Sequence, residues 1–158
     1  MNIKILFCAI AAAAAVAGCA AQPGGRALAG SSMNCPGASC DVIVYVSGDP
    51  AVAPPKVAVS ADEVHVGANS PVITWKLEAP GYKFCSDSIA PHTTGTGGGK
   101  QPTSQGAWNA QITFQNSSDT VFRVKKVPGT GTLYYDVKVY RECNGTPLKL
   151  DPAIVNDL

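Results

Sequence analysis

The segment Val72-Ile73-Thr74-Trp75-Lys76-Leu77-Glu78 constrains this chain more than any other. Ile73, Trp75 and Leu77 fall on one side of an extended backbone and Thr74, Lys76 and Glu78 on the other, a period of two that marks a half-buried strand. Trp75 is therefore expected as a core anchor. A strand with one apolar face needs partners beside it and a second layer against it, so the rest of the chain must supply more strands.

It does so by the same alternation and by turn chemistry. Asp41-Val42-Ile43-Val44-Tyr45-Val46 is a continuous run ended by Ser47-Gly48-Asp49-Pro50, as for a strand buried on both faces or sitting centrally in a sheet. Lys56 to Ser60 alternates, and Val64-His65-Val66 sets His65 opposite its valines. Trp108, Ala110, Ile112 and Phe114 form one face of a strand, Asn116-Ser117-Ser118-Asp119 turns, and Val121 to Val124 returns as the other arm of a hairpin. After Pro128-Gly129-Thr130-Gly131, Leu133, Tyr135, Val137 and Val139 are expected to face in, with Tyr134, Asp136, Lys138 and Tyr140 facing out. Asn144-Gly145 is a strong hairpin signal that folds Leu148-Lys149-Leu150 back onto that strand. About seven to nine short strands, with turns every eight to twelve residues and no expected helix, define an all-β fold, an antiparallel β-sandwich of immunoglobulin-like architecture. The immunoglobulin Cys-Trp-Cys spacing is not met, because Trp75 stands only ten residues before Cys85; the expectation concerns architecture alone.

The N-terminus has a different character. Lys4 precedes an apolar run from Ile5 to Val16, about a dozen residues, which is the length of a signal-peptide core and too short for a membrane span. Val16-Ala17-Gly18-Cys19 ends it, and that order of residues resembles a bacterial lipobox. The resemblance implies cleavage before Cys19, a diacylglyceryl thioether on Cys19 and an acyl group, palmitate for example, on its new amino terminus, several chains together giving stable anchoring. Ala20 follows where an Asp would signal retention in the inner membrane, so the expected location in a Gram-negative host is the outer membrane, facing the periplasm or the cell surface. Residues 1–18 are then signal peptide, 19–34 the lipidated Cys with a flexible Gly- and Ser-containing tether of roughly 20 Å reach, and 35–158 a single domain. Ile73-Thr74-Trp75, Tyr135 to Val139 and Asp151 to Asn156 also resemble stretches of small exported bacterial proteins, a likeness that implies no activity.

Loss of Lys4 with the signal leaves 11 acids against the 12 bases less one, a neutral domain. Such a balance does not favour nucleic acid as a partner. In an oxidising compartment Cys35, Cys40, Cys85 and Cys143 are expected as disulfides. Cys35 with Cys40, which flank the Pro36-Gly37 turn, and Cys85 with Cys143, at strand ends, is the favoured of three pairings.

No catalytic, cofactor or metal site is expected. Gly95-Thr96-Gly97-Gly98-Gly99-Lys100 resembles a phosphate loop, but Thr94 stands where its first Gly belongs, Gln101 where Ser or Thr should hold magnesium, and Pro102 where a helix should begin. His65 and His92 are the two histidines. His92 falls in the irregular stretch 86–106 near Asp87 and Ser88, where an exposed loop residue is expected, and no G-x-S-x-G elbow supports a hydrolase. A blue-copper set of two His, a Cys and a Met is not met either, and Cys35 and Cys40 lack the C-x-x-C spacing usual in zinc sites. Asn116-Ser117-Ser118 and Asn144-Gly145-Thr146 are read as turns. Tyr45, Tyr134 and Tyr140 are the candidate contact surface. The expected function is a lipid-anchored, non-enzymatic binding or assembly module of the cell envelope, its partner another envelope protein or a glycan; the competing expectation is a small periplasmic hydrolase using His92.

Overall fold

A computed structural model describes residues 31–48, 53–69, 71–93 and 102–157. The signal peptide, Cys19 and the Gly95–Lys100 run lie outside the described residues. Among the described residues eleven strands form two sheets around one core. In the first sheet β1 (Ser32–Cys35), β4 (Glu63–Val66), β11 (Ala153–Asn156) and β9 (Thr132–Val139) follow one another, with β10 (Leu148–Leu150) and β6 (Ile89–Pro91) also pairing with β9. The second runs β3 (Lys56–Val59), β2 (Ser39–Ser47), β5 (Val72–Glu78), β8 (Val121–Lys126), β7 (Ile112–Phe114).

The expected β-sandwich is thus present. Its sheets, however, are mixed rather than antiparallel and are not specifically immunoglobulin-like: β1 and β11 both run parallel to β4, and β2 runs parallel to β5. The reason is connectivity, since β3 and β4 intervene between β2 and β5, and the chain's last strand enters between β4 and β9. β1 also begins at Ser32, inside the stretch expected as tether.

Alternation holds on the inward face of β5, while on its other face Lys76 and Glu78 are exposed and Thr74 is buried. Ile73 and Trp75 are fully buried and Leu77 nearly so, against Val124 and Phe122 of β8. The layers meet where Trp75 touches Tyr135 edge to face, ring centroids 5.4 Å apart, its indole N–H donating to the Tyr135 hydroxyl at 3.3 Å. β2 is an interior strand of its sheet, between β3 and β5, yet Val42 and Val44 are buried while Ile43 and Tyr45 are half-buried, so one face alone is sealed.

A helix overturns one expectation. Gln105–Gln111 forms α1, with Ser104 as N-cap accepting from the Ala107 amide at 3.1 Å. Trp108 is its buried anchor, and Ile112 begins β7 directly after it. The face expected to run from Trp108 to Phe114 is therefore broken: Ile112 is buried, while Phe114 is half-exposed and rests edge to face on Phe122. The β7–β8 hairpin across 115–120 is nonetheless formed. Asn144-Gly145 lies within a longer connection, 140–147, where the Gly145 amide donates to the Glu142 carbonyl at 2.9 Å, and β10 returns onto β9 as expected.

Both disulfides join the expected cysteines, Cys35 with Cys40 and Cys85 with Cys143, at Cα separations of 5.7 and 5.6 Å.

β10 and β11 share one register along β9. Leu150 pairs with Val137 and Ala153 with Tyr134, which sets Asp151 opposite Asp136 and Pro152 opposite Tyr135, whose amide donates to the Pro152 carbonyl at 3.1 Å. Proline has no ladder N–H to give, so the strand is interrupted here. Two carboxylates thus face each other across neighbouring strands, an arrangement that repels unless cations hold it.

Candidate functional site

One such cation is present. Lys149, two residues before Asp151 and so on the same face, sets its ammonium 3.1 Å from Asp136 Oδ2 and 3.5 Å from Asp151 Oδ1. Burial works against the Lys149 charge, but the hydrogen bonds and fields of Asp136 and Asp151 outweigh it and hold its pKa above that of an ordinary lysine. From the other side of β9, His92 places Nδ1 2.7 Å from Asp136 Oδ1 and 3.5 Å from Asp151 Oδ1. His92 is fixed by its backbone, its amide donating to the Tyr134 carbonyl at 3.0 Å and its carbonyl accepting from the Thr103 amide at 2.8 Å. The Thr103 hydroxyl in turn accepts from the Tyr134 amide at 2.7 Å.

The expectation of an exposed loop histidine is therefore wrong: His92 is fully buried. The described residues of the stretch 86–106, namely 86–93 and 102–106, are likewise less irregular than expected. They include β6, which pairs edge to edge with β9, and the Asp87 and His92 side chains hold Tyr140 and Asp136, two of the residues expected to point into solvent, while Tyr134 and Lys138 keep partial exposure. Asp136 is buried, and so is Tyr140, whose hydroxyl donates to the Asp87 carboxylate at 2.7 and 2.9 Å. Lys138 completes that second cluster at 3.0 Å from Asp87. Burial raises the Asp87 pKa, but the hydrogen bonds from Tyr140 and Lys138 outweigh it and bring the carboxyl below its usual value; burial and the same carboxylate push the Tyr140 phenol well up.

Asp87, Ser88 and His92 are not assembled as a hydrolytic trio. Asp87 is held by Tyr140 and Lys138, the Ser88 hydroxyl accepts from the Cys85 amide at 2.7 Å, and His92 turns to Asp136. Nor do the three tyrosines make one surface: Tyr140 is buried, and half-buried Tyr45 and Tyr134 sit on different sheets. His65, on the outward side of β4 as expected, pairs with Asp157 at 2.9 Å and with Glu63 at 3.5 Å.

A groove at one end of the sandwich offers what the tyrosines do not. Two adjoining cavities of about 180 and 440 Å³ share Pro55, Tyr82 and Arg141 and extend from Glu78 to Leu148. The Arg141 guanidinium lies over the Tyr82 ring, 5.4 Å from its centroid, a cation–π contact. Ala79-Pro80-Gly81-Tyr82 is the turn that presents Tyr82: its amide donates to the Ala79 carbonyl at 3.1 Å, and Gly81 takes φ +79°, a conformation that side chains resist. The Cys85–Cys143 bridge fixes the two segments that carry Tyr82 and Arg141. The sequence reading missed this groove because its lining comes from connections without periodicity.

No family model matches the chain, and no curated protein matches it. Among solved structures the chain is similar to reduced rusticyanin, with 14% identity over 84% of this chain and 89% of that one and a TM-score of 0.41. It is similar also to two rusticyanin variants, each at 14% identity over 82% of this chain, with TM-scores of 0.40 and 0.37. Likenesses of this depth leave the sites to be argued from their own residues.

Proposed function

We propose that this chain is a lipid-anchored module of the bacterial cell envelope that binds another envelope protein or a glycan and performs no chemistry on it. The observation that carries the reading is the Val16-Ala17-Gly18-Cys19 order at the end of an apolar core of signal-peptide length. The two disulfides support it, since such bonds persist in oxidising compartments. Cys19 holds the lipid, the residues after it serve as tether, and the sandwich presents its groove. Tyr82 and Arg141, residue types that dominate binding hot spots, stand in a concave setting with the exposed carboxylates of Glu78 and Glu142 at its rim.

The anchor is tested by feeding labelled palmitate to cells. Label is expected in the wild type and absent from Cys19→Ala; an unlabelled wild type ends the localisation argument. Crosslinking in the envelope followed by pull-down is expected to recover a partner or glycan that Arg141→Ala loses. A panel of ester, peptide and glycan substrates tests the competing hydrolase: turnover abolished by His92→Ala would replace the binding reading.

A further inference from the structure

We propose that His92, Asp136 and Asp151 form a binding site for a divalent first-row metal ion, with the Lys149 ammonium standing in the cation's place until the ion displaces it. One imidazole nitrogen and two carboxylate oxygens, from β6's end, from β9 and from the break between β10 and β11, come within 4.8 Å of one another. The Nδ1 distances to the two carboxylates, 2.7 and 3.5 Å, bracket the roughly 3 Å between adjacent ligands on an octahedral ion with bonds of about 2.1 Å, and binding at Nδ1 requires the ring to carry its proton on Nε2 instead of on the Nδ1 that now donates to Asp136. Two of the three residues are buried, unlike the exposed acidic groups common on protein surfaces.

Charge and register point the same way. Asp136 and Asp151 face each other across β9 and its neighbour, a repulsive pairing that is sustained only around a positive charge. Lys149 supplies a single one. Against the two carboxylates that leaves one negative charge uncompensated, whereas a divalent ion in the ammonium's place balances both. Lys149 is 37% exposed and is carried on a long side chain, so the ammonium can move into water at little cost. Asp151, 27% exposed, leaves the solvent side of the group open to an entering ion. The donor set of one nitrogen and carboxylate oxygens suits zinc, manganese, cobalt or nickel and not a thiolate-seeking ion. Bound there, the ion would tie three strands of the first sheet at one point.

The chain has two histidines, which makes the test clean. Zn²⁺ and Mn²⁺ are titrated calorimetrically into the detergent-solubilised full chain, and Ni²⁺ is followed through broadening of the histidine ring resonances. One ion per chain is expected, with the His92 resonances broadened and with binding unchanged in His65→Gln. Affinity should fall at least tenfold in Asp151→Asn, an isosteric change at a partly exposed position, and rise about tenfold in Lys149→Met, which removes the competing cation. His92→Gln should abolish binding; circular dichroism shows whether it is folded, and Asp151→Asn decides the matter if it is not. The proposal is overturned if neither the wild type nor Lys149→Met binds any of the three ions. It is overturned equally if Asp151→Asn binds as the wild type does, or if binding follows His65→Gln, which would place the ion on the surface group of His65, Glu63 and Asp157.

Discussion

At the scale of single residues the least expected feature is Lys126. It continues the inward face of β8 after Phe122 and Val124 and is 1% exposed, its ammonium donating to the Val127 carbonyl. Burial lowers its pKa to about 8 from 10.5. Because the unfolded chain holds this proton up to about pH 10.5 and the folded chain only to about 8, unfolding binds protons between those values and stability rises with pH there. Below pH 8 the folded state carries the whole cost of the buried charge. Lys126→Met should therefore stabilise the protein at pH 7 by about 1–3 kcal/mol, and its stability should lack the rise from pH 8 to 10.5 seen in the wild type. Denaturant titrations at pH 7, 8, 9 and 10 check this; a variant less stable than the wild type at pH 7 would show that the ammonium contributes more than its burial costs. The two tryptophans provide a second contrast. Trp75 gives its indole N–H to Tyr135, whereas the buried Trp108 N–H has no hydrogen-bond partner among the described residues. Trp108→Phe should then lose packing alone, while Trp75→Phe also strands the Tyr135 hydroxyl and should cost about 1 kcal/mol more; equal thermal shifts would show that the Trp75 bond adds nothing.

At the scale of elements, what could be read from the sequence was whatever depends on neighbours in the chain. β5 and β9 declare themselves because period-two burial is local, and the β7–β8 hairpin because Asn116 to Asp119 can only turn. α1 was misread because Trp108 and Ile112 are spaced to satisfy either period, four residues apart on a helix face or four apart along a strand. Ser104 as a cap and the alanines and glutamines after it were the signal that could have decided for the helix. Parallel pairing was beyond reach: nothing in Ser32–Cys35 or Ala153–Asn156 says that both will lie along β4. The ionic group fails to show for the same reason. Asp136 stands 44 residues from His92, and only the common register of β10 and β11 along β9 carries Asp151 to both. Tyr140 and Asp136 were placed correctly on the outer side of β9 and wrongly in water, because the segment that covers them looks irregular until it is seen paired.

At the scale of the molecule, the two sheets share one apolar core, and two disulfides of unequal reach cross-link the chain, Cys35–Cys40 from β1 to β2 and Cys85–Cys143 between two connections. Cys85 and Cys143 are 58 residues apart, and a loop of that size gives a chain-entropy stabilisation of about 4 kcal/mol. That is a large share of the roughly 5–15 kcal/mol that keeps a domain folded. Cys35 and Cys40, five apart at the N-terminal edge, give about 2 kcal/mol on the same reasoning. The longer bridge has a second consequence, for it closes the end of the sandwich where Tyr82 and Arg141 meet. Cys85→Ala with Cys143→Ala should lower the unfolding midpoint clearly more than Cys35→Ala with Cys40→Ala. The same double variant should lose groove-dependent crosslinking at temperatures where its core, followed by the fluorescence of Trp75 and Trp108, is still folded. Equal midpoints would mean that native packing and not loop closure sets the effect of each bridge, and crosslinking that survives until the core melts would mean that the turn at Gly81 positions Tyr82 without help from the disulfide.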